Sequence, residues 1–427
     1  MKLNILFLTL LFLLFAYETS AQDLKSERVL SLDMLENVKN DIQKNYYDST
    51  FHGINLEENY LKTKELIKNA KSSNEMTDLI VRFCYLFNDS HLYFSPPRKT
   101  FDVDYGFGSM LIADKAFVTE VKDDSDAYKK GLRVGDQIYM IEGFIINRQE
   151  FSVILRHFFR LQPQPSLQLL IIKPNGNKYK LDVKGKVLEA SKFMFSRRDR
   201  EIEFQKFEEE HYSPRFYTQI SGLAIIKMPS FNISLIKVNK MMEKVNEKDS
   251  LILDLRGNHG GYTETLTHLL GYFFDKDVDG GKTIERDGTR QWVIKPSVKK
   301  PFKGKLVVLI DSGSASAAEI FTRIIQLEKR GTVIGDQSSG AVMQSIILSH
   351  SFGLESYVFY GVSVTIADLI MKDGQRLENV GVTPDEKLLP TSNDLIKNQD
   401  PILSRAAEVL GFKISSEEAG LLFKTDK

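Results

Sequence analysis

The 427-residue chain contains one cysteine, Cys84, so no internal disulfide can staple the fold. Cys84 sits in an apolar helical stripe and reads as a small buried hydrophobe. Neither charge sign is in excess. Lys and Arg number 57, Asp and Glu 57, and no basic tract or RNA-binding motif occurs, which argues against a nucleic-acid partner. No His-Glu-x-x-His or comparable ligand cluster is present, so neither a metal nor another cofactor is expected. After the N-terminus no apolar run is long enough to span a bilayer. The remaining composition, 42% hydrophobic and 27% charged, is that of a globular protein. The length accommodates two or three domains.

The N-terminus has the order of a secretory signal peptide: Lys2, an apolar run over residues 3–17, then Thr19, Ser20 and Ala21. Cleavage is expected after Ala21. No cysteine stands near that point to carry a lipid. The mature protein is therefore expected to be exported, periplasmic or extracellular, without stable membrane insertion.

Residues 26–87 carry helical periodicity. Leu35, Val38, Ile42 and Tyr46 recur at helical spacing, as do Met76, Leu79, Ile80, Phe83 and Leu86, and Ser72 with Glu75 forms a capping box. The periodicity stops in FNDSHLYF, residues 87–94. Residues 189–216 are strongly charged and read as a solvated connector or edge hairpin. Beyond them the apolar runs at 222–228, 251–255, 306–310 and 332–335 alternate with helical stretches near 233–245, 263–274 and 317–327. Strands alternating with helices define a layered α/β domain.

The organising stretch is DSGSASAAEI, residues 311–320. It follows the strand LVVLI and precedes an amphipathic helix, so Ser312, Ser314 and Ser316 sit at a strand-to-helix turn. A serine there is exposed at the carboxyl edge of the sheet, where the helix dipole favours negative charge. From these residues alone Ser316 and Glu319 also read as a plain capping box, Ser-x-x-Glu.

GSASAAE resembles the nucleophile segment of the C-terminal processing, or tail-specific, serine peptidases. The resemblance places the nucleophile on Ser316. It implies a crotonase-like α/β peptidase core, with an N-terminal helical domain and an inserted PDZ-like domain. The expected boundaries are 1–21 for the leader, 22–100 for the helical domain, 101–187 for the PDZ-like domain and 188–427 for the core. The PDZ resemblance is carried by residues 117–143, with Gly131-Leu132-Arg133-Val134-Gly135-Asp136 at its centre. PDZ domains bind an extended chain end by strand addition. Gly106, Phe107 and Gly108 would form the loop for the terminal carboxylate.

Family members of the better-known kind pair the serine with a lysine 25 residues on. Here that position is Ala341, which cannot take a proton. Ser90-His91, just after the helical domain, resembles the tricorn-like branch, in which the histidine is the general base and the serine orients it. RLENVGVTPD, residues 376–385, resembles the segment of that branch that supplies a glutamate, here Glu378, to polarise Ser90. The loop DLRGNHGG, residues 254–261, implies one oxyanion donor from Gly260 or Gly261, and Ala317 implies the second. His259 in that loop is a further base candidate, though a solvent-facing loop histidine fits it better.

The leading expectation is an exported serine endopeptidase that hydrolyses protein or peptide substrates through an acyl-enzyme, with the PDZ-like domain engaging substrate. Loss of the lysine leaves open a catalytically inactive peptide-binding scaffold. An acyl-thioester enzyme conflicts with the leader, since coenzyme A is cytosolic. The residues assign no oligomeric state.

Overall fold

The computed structural model describes residues 2–97, 101–189, 213–352 and 358–423, with side chains from Leu24 onward except those of Phe101 and Glu189. Most of the charged connector, residues 190–212, lies outside the described residues. The chain divides into two compact units. One comprises Met1–Arg98, Glu285–Gly288 and Gln344–Asp368, and the other Lys99–Ile284, Thr289–Met343 and Leu369–Lys427.

The smaller unit begins with helices α1 (Lys2–Asn45), α2 (Leu56–Asn69) and α3 (Ser73–Tyr85). Asn55 caps α2 by accepting the Glu58 N–H at 3.1 Å, and Ser72 caps α3 by accepting the Glu75 N–H at 3.2 Å. The predicted periodic residues Leu35, Val38, Ile42, Met76 and Ile80 are fully buried. Each such side chain contributes about 1.5–3 kcal/mol of hydrophobic stabilisation. Strand β1 (Tyr93–Ser95) follows the turn after α3. It pairs antiparallel with the later strand Val358–Ile370, which also pairs with Met343–Phe352. Among the described residues no helix is long and apolar enough to cross a membrane.

The larger unit opens with a β-rich part. Strand β2 (Phe101–Asp104) is followed by β3 (Phe107–Ile112), β4 (Lys115–Val121), helix α4 (Asp126–Lys129), β5 (Gln137–Ile141) and β6 (Phe144–Ile145). Helix α5 (Phe151–Arg156), β7 (Ser166–Ile172), β8 (Lys178–Lys184) and β9 (Lys186–Glu189) complete it. The sheet order is β3-β4-β5-β7-β8, so β3 is an edge strand. Val118, Ile138, Leu167 and Ile171 fill its core.

The second part is a layered sheet. Its strands are β10 (Arg215–Tyr217), β11 (Leu223–Lys227), β12 (Ser250–Asp254), β15 (Lys305–Ile310) and β16 (Thr332–Gly335), with the short Glu386–Lys387 beyond. A hairpin, β13 (Val278–Glu285) and β14 (Gly288–Ile294), intervenes in sequence. From β11 to the last strand all pairings are parallel, and β10 adds antiparallel to the edge. Alternate residues face opposite layers. Ala224, Ile226, Leu253 and Val308 pack with α6 (Leu235–Val245), α7 (Thr263–Leu270) and α8 (Ala317–Leu327). Leu223, Ile225, Ile252 and Val307 pack under the C-terminal helices. Burial on both faces explains the unbroken apolar runs of these strands. The register sets Asp254 beside Leu309, so the loops after β12 and β15 leave the same sheet edge side by side.

Candidate active site

Ser316 ends the loop after β15 and begins α8. Its backbone has φ 55° and ψ −120°, a region a side chain enters only against a steric cost. The Ser316–Glu319 capping box is present, but an ordinary N-cap is extended, so the turn is more than a plain cap. Two of the three serines are committed to backbone carbonyls. The Ser314 hydroxyl donates to Leu255 O at 2.8 Å and the Ser312 hydroxyl to Leu111 O at 2.5 Å. Ser316 alone occupies the sharp strand-to-helix turn that raises a hydroxyl above a sheet edge.

The loop after β12 packs directly on this turn. A Cβ on Gly260 would lie 2.6 Å from the Ser316 Cβ and 3.0 Å from the Ala317 nitrogen, so only glycine fits. The Gly260 N–H donates to Asn258 Oδ1 at 2.8 Å, while the buried Asn258 amide donates to Met228 O at 2.8 Å. Of the two glycines, Gly260 thus has its N–H engaged within the loop. Asp311 Oδ1 accepts the N–H of Gly257 at 2.8 Å and of Gly313 at 2.9 Å, tying the two loops together. His259 is exposed.

Behind Ser316 lies the segment that would carry the family lysine. The Ser316 N–H donates to Ala341 O at 2.9 Å, so Ala341 is a backbone neighbour of the serine. Lys372, another possible base, is exposed and ion-paired with Glu328.

Glu319, one turn into α8, clamps this arrangement. Its Oε1 accepts the Ser338 hydroxyl at 2.6 Å and the Gly340 N–H at 2.8 Å. Its Oε2 accepts the N–H groups of Ser316 at 2.9 Å and Ala341 at 3.0 Å. The carboxyl is fully buried, and burial raises its pKa from 4.5 to about 7 despite these four donors. Glu378 Oε2 accepts the Val342 N–H at 2.7 Å, one residue past that segment.

The arginine of the Asp-Leu-Arg run is structural. Arg256 bridges Asp254 (2.8 Å) and Asp400 (2.7 Å), and Lys227 adds a contact to Asp254 at 3.2 Å. Burial alone would raise the Asp254 pKa, but the Arg256 and Lys227 charges outweigh it and hold the carboxylate well below its usual range. The sequence reading missed Asn258, Glu319 as a clamp, and Asp400.

Ser90 and His91 belong to the smaller unit, and the remaining candidates to the larger. Within its unit, His91 Nδ1 is 2.8 Å from Ser90 Oγ. That contact turns the other ring nitrogen, Nε2, into the one suited to proton transfer. Burial lowers the His91 pKa below its usual 6.5, and the Asp89 charge offsets part of this. In the β-rich part, Gly106 has φ +73° and packs against Ser125, and its N–H donates to Asp104 Oδ1 at 2.8 Å. Among the described residues no group of His, Cys, Asp and Glu could hold a metal ion.

A parallel α/β sheet with a strained serine at the end of the loop between a central strand and the following helix has the backbone arrangement of a nucleophile turn. Residues 222–388 match the model of peptidase family S41. Over those residues the chain resembles that family, and proteins named as C-terminal processing and tail-specific proteases are among its relatives. It is 33% identical to the tail-specific protease of Haemophilus influenzae over 178 residues, 40% of this chain and 25% of that protein. It is 28% identical to the carboxy-terminal processing protease CtpA of Bacillus subtilis over 170 residues, 39% of this chain and 35% of that protein. The chain thus matches about a quarter to a third of the length of these relatives. Among solved structures, mature CPAF shares the fold with a TM-score of 0.63 at 14% identity, covering 87% of this chain and 94% of that chain.

Proposed function

We propose that the chain is a serine endopeptidase working through an acyl-enzyme on Ser316. The observation that carries this is the Ser316 backbone itself. A serine with φ 55° and ψ −120°, clamped from behind by Glu319, is a conformation that costs on the order of 1–3 kcal/mol. In this reading Ser316 Oγ attacks the peptide carbonyl. The N–H groups of Ala317 and Gly261 stabilise the oxyanion, since that of Gly260 is held by Asn258. The base is His91, oriented by Ser90, with Glu378 as the acceptor behind Ser90. It takes the serine proton and returns it to the leaving amine. The alanine at 341 and the ion pair of Lys372 support a histidine over a lysine base.

The core is crotonase-like, the branch tricorn-like and the β-rich part a PDZ-like domain in this proposal. The edge position of β3 supports substrate engagement by strand addition. A terminal carboxylate would meet the N–H groups of Phe107 and Gly108 and displace Asp104 from Gly106. The protein is exported after loss of residues 1–21.

The test is labelling with a serine-reactive phosphonate beside a peptidase assay. Wild type should label and cleave, and Ser316→Ala should do neither while keeping its thermal midpoint. Full peptidase activity in Ser316→Ala would remove Ser316 from the chemistry. Absence of labelling and cleavage in wild type would favour a peptide-binding scaffold.

A further inference from the structure

We infer that Asp89 is the positioning residue for His91, an inference that rests on His91 being the base. Asp89 sits two residues before the histidine, in the turn between α3 and β1. Its Oδ1 accepts the N–H of His91 at 2.8 Å and of Leu92 at 3.1 Å, which fixes the backbone from which the imidazole projects. The same oxygen accepts the Thr365 hydroxyl at 2.8 Å, and Oδ2 accepts the Tyr46 hydroxyl at 3.0 Å. These partners come from three separate elements, namely the end of α1, the turn itself and the strand Val358–Ile370. A local turn alone would need none of the distant ones.

The distant partners are themselves held. Tyr46 is fully buried and its hydroxyl lies 3.1 Å from His52 Nε2, which also meets the Tyr47 hydroxyl at 3.0 Å. His52 is anchored by Asp48, whose Oδ2 accepts the His52 N–H at 2.8 Å. The Tyr47 N–H donates to Thr365 O at 3.0 Å, binding the end of α1 to the strand that carries Thr365. Asp89 is therefore the centre of a network that gives the Ser90–His91 turn one geometry. The titratable and charged groups of the network are Tyr46, Tyr47, His52 and Asp48, with Arg286 Nη1 donating to Tyr46 O at 2.7 Å. Burial pushes the Tyr46 hydroxyl well above its usual range, so it remains a donor to Asp89.

Two consequences follow from one carboxylate. Its acceptor oxygens hold the backbone, and its charge supports the imidazolium that forms when His91 takes a proton. Asp89→Asn keeps an acceptor at Oδ1 and removes the charge, which separates the variant from one that merely fails to fold. The experiment is a pH profile of kcat/KM for wild type and Asp89→Asn, with NMR titration of the His91 imidazole in both and His91→Gln to assign the signal. Expected are a lower imidazole pKa in Asp89→Asn, an acidic limb displaced to lower pH by the same amount, and kcat reduced about 10- to 100-fold with KM little changed. An imidazole pKa and kcat both equal to wild type would overturn the inference, as would a shifted pKa with unchanged kcat. Failure of the base reading looks different. There His91→Gln itself would retain turnover, while the NMR arm would still report whether Asp89 acts on the imidazole.

Discussion

Glu319 shows how one residue can be read in two ways. In the sequence it is the second half of a Ser-x-x-Glu capping box, and it does accept the Ser316 N–H. The fold gives it three further donors, Ser338, Gly340 and Ala341, so it also fixes the segment beside the serine. Gln at this position would turn an amide NH₂ toward backbone donors. Glu319→Gln should therefore lose peptidase activity on the order of 100-fold, read as kcat. Its stability effect depends on pH. Burial raises the folded-state pKa from 4.5 to about 7, so the protonated group favours the folded state. That contribution is complete below pH 4.5 and is lost as pH rises through about 7. The difference in urea midpoint between wild type and Glu319→Gln should accordingly shift against wild type across that interval. A difference flat with pH would show that Glu319 titrates as an ordinary carboxyl.

Among the elements, the C-terminal helices are tied to the sheet through one ion bridge. Asp400 caps α9 (Pro401–Val409), accepting the Leu403 N–H at 3.0 Å, and pairs with Arg256 from the loop after β12. Burial would raise the Asp400 pKa, but Arg256 holds it below the usual range. Asp400→Ala would leave the Arg256 charge short of a partner and should cost on the order of 3 kcal/mol in denaturant unfolding. A change under about 0.5 kcal/mol would assign the bridge to the surface class. Such long-range pairs are invisible in a sequence, because nothing in residues 254–256 points to position 400. The strands were legible for the opposite reason. Runs such as 306–310 are buried on both faces and carry Val and Ile without alternation. The strand Val358–Ile370 was missed because its polar Ser363, Thr365 and Asp368 break an apolar run, although the fold buries all three. The expected helix over 263–274 ends at Leu270, where Gly271 packs against Ser297 and Lys295.

At the scale of the whole molecule, the β-rich part contacts the sheet next to the serine loop. Leu111 O receives the Ser312 hydroxyl, and Asp336 Oδ2 receives both the Ala113 N–H at 2.7 Å and Arg148 Nη2 at 2.8 Å. If β3 takes an extended chain end, a peptide with a free C-terminus should bind more tightly than its amide in a calorimetric titration. Equal affinities would assign β3 to internal segments, consistent with Asp104 holding the Gly106 N–H. The central claim is that Ser316 is the nucleophile and a histidine, not a lysine, activates it. The most direct test is the rate of phosphonate labelling against pH, in wild type and His91→Ala, with the adduct located by mass spectrometry. Expected is an adduct on Ser316 whose rate rises through a pKa below the usual histidine value of 6.5, with most of that rate lost in His91→Ala. An adduct on another residue, or an unchanged rate profile in His91→Ala, would contradict it.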